Sequence, residues 1–150
     1  TMNMFNSMSA EYLRSIGFAD CIASVESTIS QIGGLRTELP IGVVVYGRIP
    51  LMLTRNCPIK NEVGCRKCGG VLMDRTGRKL PVACSGEYVE ILNADLLYMG
   101  DRMNEIKFAD FVCILLNEER GGQIAEALNL KKPWGNITRG LYYRGVQENI

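Results

Sequence analysis

Ile41-Gly42-Val43-Val44-Val45-Tyr46 is the stretch that decides the fold of this 150-residue chain. It carries no charge and sets an isoleucine and three valines on one short run. That composition predicts a parallel strand covered on both faces, and Gly47 ends it. Upstream, Ser7-Met8-Ser9-Ala10-Glu11 opens a helical pattern with Ser7 or Ser9 as cap. Tyr12, Leu13 and Ile16 form its apolar face and Gly17 the stop, giving a helix over 9–16. Phe18 to Ser24 reads as a short buried strand, and Val25 to Ile32 as a second helix broken by Gly33-Gly34. Strand and helix alternating at this spacing predict an α/β fold built from βα units of a parallel sheet or barrel.

Downstream the character changes. Asn56 to Gly70 is dense in cysteine, glycine and charge and has no periodicity, which marks a domain boundary. Val71 to Asp74 and Lys79 to Cys84 read as two strands of a hairpin, with Asp74 and Gly77 supplying the turn. Glu87 to Leu92 and Asp101 to Phe108 read as helical, and Phe111 to Leu116 as another uncharged strand. Gly122 to Leu130 fits an amphipathic helix with Ile124, Ala127 and Leu128 inward. The tail from Thr138 to Gly145 is aromatic and basic, with too much glycine for a regular element. The expected organisation is therefore 1–54 as the last βα units of a barrel-like domain, 55–86 as a cysteine-rich hairpin module, and 87–150 as an α/β segment packing back on the barrel.

The chain is 47% hydrophobic and 22% charged, an ordinary globular balance with enough apolar residues for one sizeable core. A net charge of +1 gives no strongly basic or acidic field, so any RNA contact would need a local patch. No apolar run reaches the ~18 residues of a membrane helix, and the first residues lack the charged start and apolar core of an export signal. The expected location is the cytoplasm, with no membrane partner. There is no histidine. Its absence excludes a Ser/His/Asp triad, a Cys/His dyad, a HExxH zinc protease and any His-ligated metal from this chain unaided.

Six cysteines in a reducing compartment point to metal or redox chemistry rather than to disulfides. Cys57-x7-Cys65-x2-Cys68-x15-Cys84 contains a Cys-x2-Cys pair followed by Gly69-Gly70, the pattern of a metal-binding knuckle. Glycine there lets the backbone curl so that its amides face the sulfurs. The hairpin that begins at Val71 folds its far end, with Cys84, back beside its start, so four thiolates can converge. Arg66 and Lys67 offset part of their charge. A chance Cys-x2-Cys and a thioredoxin-like dithiol are the competing readings, the second weakened because no helix starts at the pair. Four thiolates suit either zinc or a 4Fe-4S cluster; a knuckle with a hairpin favours tetrahedral zinc in a closed, structural site. Cys21 and Cys113 fall within apolar strands and read as small buried hydrophobes.

Other candidates are weaker. Glu26, in Ser24-Val25-Glu26 after a predicted strand, stands on the catalytic face if a barrel exists, although a helix-start acid is the blander reading. Asp101-Arg102 and Glu118-Glu119 occupy similar positions. Arg139, Tyr142, Tyr143 and Arg144 combine cations with aromatic faces, the chemistry of base stacking and phosphate contact, as compatible with tail packing as with RNA.

Several stretches taken together resemble one family. They are Asn6 to Ala10, Ser24 to Glu26, Val45-Tyr-Gly-Arg-Ile-Pro-Leu-Met-Leu-Thr-Arg-Asn-Cys57-Pro58, Asp74-Arg-Thr-Gly-Arg-Lys-Leu-Pro-Val-Ala-Cys84, Ile91 to Asn93, and Thr138 to Gly145. The family is peptidase family U32, the collagenase-like group that also includes RNA-hydroxylating enzymes and ubiquinone-pathway accessory proteins. The resemblance implies that residues 1–46 are the end of a βα barrel and that the chain is a C-terminal fragment whose partner is the remainder of that barrel. It further implies a metal-binding segment acting in RNA modification or, alternatively, on peptides. Cluster-bearing members carry His-Gly after the corresponding strand and a cysteine three residues on, where this chain has Tyr46-Gly47 and its next cysteine at Cys57. The peptidase label is read as a family name, since no general base for proteolysis is visible. A non-catalytic, zinc-stabilised binding module is the further alternative.

Overall fold

The computed structural model describes residues 4–116 and 135–144, together with Gly122, Ala125 and Asn129. Among them are helices α1 (Ser7–Ser15), α2 (Ile29–Gly33) and α3 (Pro58–Val63). The strands are β1 (Cys21–Ile22), β2 (Ile41–Gly47), β3 (Pro50–Thr54), β4 (Val71–Met73), β5 (Lys79–Cys84), β6 (Val89–Leu92), β7 (Leu96–Tyr98), β8 (Phe111–Ile114) and β9 (Ile137–Thr138). Short 3₁₀ segments occupy Cys65–Lys67 and Gly100–Ile106. The fold is mixed α/β with two sheets, and the chain divides into two units, Thr1–Gly47 with Leu97–Ile150, and Arg48–Leu96.

In the first unit β2 is the central strand. It is buried along its whole length, as its uncharged, β-branched sequence requires. Val43 and Val45 are fully enclosed, each burial contributing ~1.5–3 kcal/mol. β1 pairs parallel on one side (Cys21↔Ile41), and β8 parallel on the other (Gly42↔Phe111). Beyond β1, Met4 bridges Ala23 in the same direction. Met4, β1, β2 and β8 thus lie side by side in chain order, all parallel. The antiparallel β7 joins the end of β2 at Tyr46↔Tyr98, where the two rings meet edge to face, and β9 completes the sheet. Among the described residues this sheet is open, with no closed barrel.

Local chemistry moves several boundaries. The cap of α1 is Asn6, not Ser7 or Ser9: its backbone is extended and its Oδ1 accepts from Ser9 N at 2.9 Å, so the helix begins at Ser7. The buried stripe of α1 is Ala10 and Leu13, while Tyr12 and Ile16 face solvent. β1 is shorter than Phe18 to Ser24, because Phe18 N donates to Leu13 O in the helix exit and its side chain is exposed. α2 starts at Ile29 rather than Val25. Ser24 holds the intervening turn, its carbonyl accepting from Ser27 N and its Oγ from Glu26 N, and Thr28 and Gln31 form a capping box beyond it. The expected helix at Asp101 to Phe108 is a kinked 3₁₀ segment, interrupted at Arg102. Of the helix expected at Gly122 to Leu130, only Gly122, Ala125 and Asn129 are described, all exposed; Ile124, Ala127, Leu128 and Glu118-Glu119 lie outside the described residues.

The second unit is an antiparallel sheet in the order β3-β6-β5-β4. The hairpin β4/β5 pairs Val71↔Pro81, Leu72↔Leu80 and Met73↔Lys79. Its turn is held by Asp74 Oδ1, which accepts from Thr76 N and Thr76 Oγ1 at 2.7 Å and from Arg78 N at 2.9 Å, with Gly77 at φ 82°. Those bonds keep the Asp74 carboxyl below the usual carboxylate range, the Thr76 hydroxyl contributing most. Glu87 to Leu92, expected to be helical, instead supplies β6. Val89 and Ile91 are buried at a period of two, and β6 takes its ladder from β3 on one side and β5 on the other. The two strands flanking residues 55–86, β3 and β6, belong to the same sheet as the hairpin, so the cysteine-bearing segment does not stand apart from them.

Candidate metal centre

Cys57, Cys65, Cys68 and Cys84 all lie in the Arg48–Leu96 unit and are all free thiols. Cys57 is the N-cap of α3. Pro58 at the first helical position fixes the entry, and the Cys57 Sγ accepts from Lys60 N at 3.5 Å. Gly64, at φ 76°, ends α3 and leads into the turn Cys65–Lys67, which Cys68 N closes by donating to Cys65 O at 3.2 Å. Cys68 Sγ then accepts from Gly70 N at 3.4 Å, as the glycine pair predicts. Gly70 O in turn accepts from Val82 N at 2.8 Å, fastening the knuckle's exit to β5. Cys84 is the last residue of β5, opposite Val89, and Val89 is opposite Thr54 on its other side.

The topology carries all four cysteines to one end of the sheet. β3 runs out at Thr54 three residues before Cys57, β5 runs out at Cys84, and β4 starts at Val71 three residues after Cys68. The hairpin register points the same way: continued past Val71↔Pro81, it sets Cys68 opposite Cys84. The chain leaves the ladder at Gly70, however, and Cys65, Cys68 and Cys84 are exposed. Among the described residues no group of three or more Cys, Asp or Glu side chains stands close enough to hold a metal ion.

The remaining cysteines differ. Cys21 is buried in β1 and Cys113 half-buried in β8; burial raises both thiols above their ordinary range, with Asp20 adding to the effect at Cys21. Glu26 is exposed, in the turn ahead of α2 rather than in a helical first turn.

The aromatic and basic tail is largely committed to packing. Tyr142 is 2% exposed and its hydroxyl donates to Val44 O at 2.7 Å, so its ring has no face for a base. Burial pushes its hydroxyl far above the ordinary tyrosine range. Arg139 donates to Asp101 through both terminal nitrogens, at 2.6 and 2.7 Å, and to Tyr98 O. That bidentate bond, opposed in part by burial, holds the Asp101 carboxyl below the usual range. Tyr143 donates to Glu105 Oε2 at 2.6 Å while Arg102 donates to Glu105 Oε1 at 2.9 Å, and these two bonds, in that order, lower the Glu105 carboxyl. Of the set proposed for RNA contact, Arg144 and the half-exposed ring of Tyr143 stay open to solvent. Nothing in the sequence flags the Asp101–Arg139 pair, whose members are 38 residues apart.

A shallow groove lined by Glu11, Arg14, Leu35, Arg36, Thr37 and Glu38 lies in the other unit. Within it Arg14 pairs with Glu11 and Glu38, and Thr37 Oγ1 donates to Glu11. No helix of the described residues is long and apolar enough to cross a membrane. No family model, curated protein or solved structure matches this chain.

Proposed function

We propose that Cys57, Cys65, Cys68 and Cys84 are the ligands of one metal ion, zinc in the first instance, and that the ion draws the end of the four-stranded sheet together. The supporting observation is topological: three strand ends and the Cys65–Cys68 turn deliver four thiols to one edge of a single unit. Two of the sulfurs already accept backbone N–H donors, the arrangement that a metal-binding knuckle gives its ligand sulfurs. On this reading metal binding and ordering of this end of the sheet are coupled, because four ligands from separate segments share one ion. A closed set of four thiolates has no position for water or substrate, so the role is structural. A 4Fe-4S cluster is the other occupant of the same donor set and would supply electron transfer.

On the resemblance to peptidase family U32, the cysteine-rich sheet is a module of a larger cytoplasmic enzyme, and the in-order parallel strands Met4, β1, β2 and β8 are a segment of its barrel. RNA, with hydroxylation as the reaction, is the substrate class of that reading, and collagen-like peptide the alternative. Elemental analysis and an absorption spectrum of protein purified without oxygen test the site. One zinc per chain in colourless protein is the expected result. Absorption near ~400 nm with iron and sulfide replaces zinc by the cluster. Metal-free thiols in fully folded protein overturn the proposal, as does a Cys68→Ser variant of unchanged stability and metal content.

A further inference from the structure

The sheet of the Arg48–Leu96 unit has a covered face and an open one. Residues directly opposite each other share a face, so the register sorts the side chains. Leu80, Val82, Val89 and Ile91 fall on one face and are buried or half-buried, while Met52 and Cys84, on the same face, are exposed. The other face carries Val71, Met73, Pro81, Ala83 and Leu53, with Lys79 and Glu90 among them and the buried Leu92 at one end. Leu53 is 66%, Met73 67% and Val71 44% exposed, so most of this apolar face meets solvent.

The edges of the sheet are poorer docking sites than its face. β4 has three residues, and β3 starts on Pro50 with an irregularity before Met52. On the face itself, the two charges decide what fits. Neither Lys79 nor Glu90 forms an ion pair among the described residues. They cannot pair with each other within a chain: Glu90 is opposite Ala83, four residues along β5 from Lys79, a separation of ~14 Å. A patch bearing one charge of each sign at its two ends, with apolar residues between, is complementary to itself. A two-fold axis lying in the interface and crossing β5 near Pro81 sets Lys79 of each copy against Glu90 of the other and covers the apolar residues mutually.

We propose that this face is a dimer interface between two copies of the chain. Three exposed apolar side chains and two charges make a patch smaller than the ~800 Å² per partner of a standard interface, so association is concentration-dependent. It does not depend on the metal reading, because Cys84 lies on the opposite face.

Sedimentation equilibrium of the full chain over a wide concentration range tests it. The expected result is a monomer–dimer equilibrium in which Lys79→Glu or Glu90→Lys alone raises the dissociation constant about tenfold and the double reversal restores it. Rescue by the double reversal requires the two residues to meet across an interface, and both positions are exposed or half-buried, so folding is retained. A mass that stays monomeric at every concentration overturns the proposal and leaves a different protein as the occupant. A dimer indifferent to both reversals places the contact elsewhere and overturns it equally. A Met73→Glu variant that loses thermal stability without any change in mass assigns the face to the chain's own packing, with the same consequence.

Discussion

Arg139 ties the tail to the body of its unit through the two carboxylate oxygens of Asp101, and that makes the attachment sensitive to acid. The Asp101 carboxyl is lowered in the folded chain relative to the ordinary aspartate value of about 3.9. A lowered folded value means the pair's contribution is complete above the unfolded value and is lost as pH falls through the folded one. The pair is partly solvated, with side chains 25% and 34% exposed, so its contribution is about 1 kcal/mol. Asp101→Asn should therefore lower the melting temperature by a few degrees at pH 7. The difference from the parent chain should shrink below pH ~4, which thermal melts across the acid range would measure. A gap of constant size would assign the loss to packing rather than to charge. Composition could not distinguish this tail from a nucleic-acid patch, because arginine and tyrosine serve both; what decides is a carboxylate 38 residues away and a buried carbonyl at Val44.

Elements were legible where one strand's own sequence fixed its environment. β2 is the clear case: Ile41 to Tyr46 reads as a doubly covered strand and is one. The hairpin β4/β5 was equally legible, since Asp74 and Gly77 supply turn chemistry that needs no tertiary partner. β6 was not, because a six-residue apolar and acidic run fits either period and only the flanking β3 and β5 select extended backbone. The end of β2 carries a test of this difference. Gly47 has φ 122° and a Cβ there would stand 2.4 Å from the Leu115 carbonyl oxygen, whereas Gly77 has φ 82° with open space around it. Gly47→Ala should cost roughly 3 kcal/mol or more, and Gly77→Ala roughly 1 kcal/mol, because only the first adds a clash with backbone to conformational strain. Urea unfolding midpoints would rank them. Equal losses would mean that strain alone, not the approach of Leu115, explains the glycine.

For the whole molecule, the division into two units sets how a metal should be felt. If the ion is what holds the end of the four-stranded sheet, removing it with a chelator should lower hydrogen-exchange protection of amides within Arg48–Leu96. Protection along Ile41–Gly47, in the other unit, should persist. Loss of protection in both together would mean that the chain unfolds as one cooperative body and that the site is a keystone of the whole fold.

What the sequence by itself determined is what local chemistry decides: the α/β class from an uncharged β-branched run, the turn at Asp74 to Gly77, and the curled exit after Cys68. It also singled out the four cysteines, because their spacing is a property of the chain. Tertiary structure alone decided which end of which sheet receives those cysteines, that Tyr142 is a core residue, and that Val71, Met73 and Leu53 share an open face. Burial and cross-strand register are relations between segments far apart in the chain. They depend on which neighbours a residue acquires, and no local pattern carries that information.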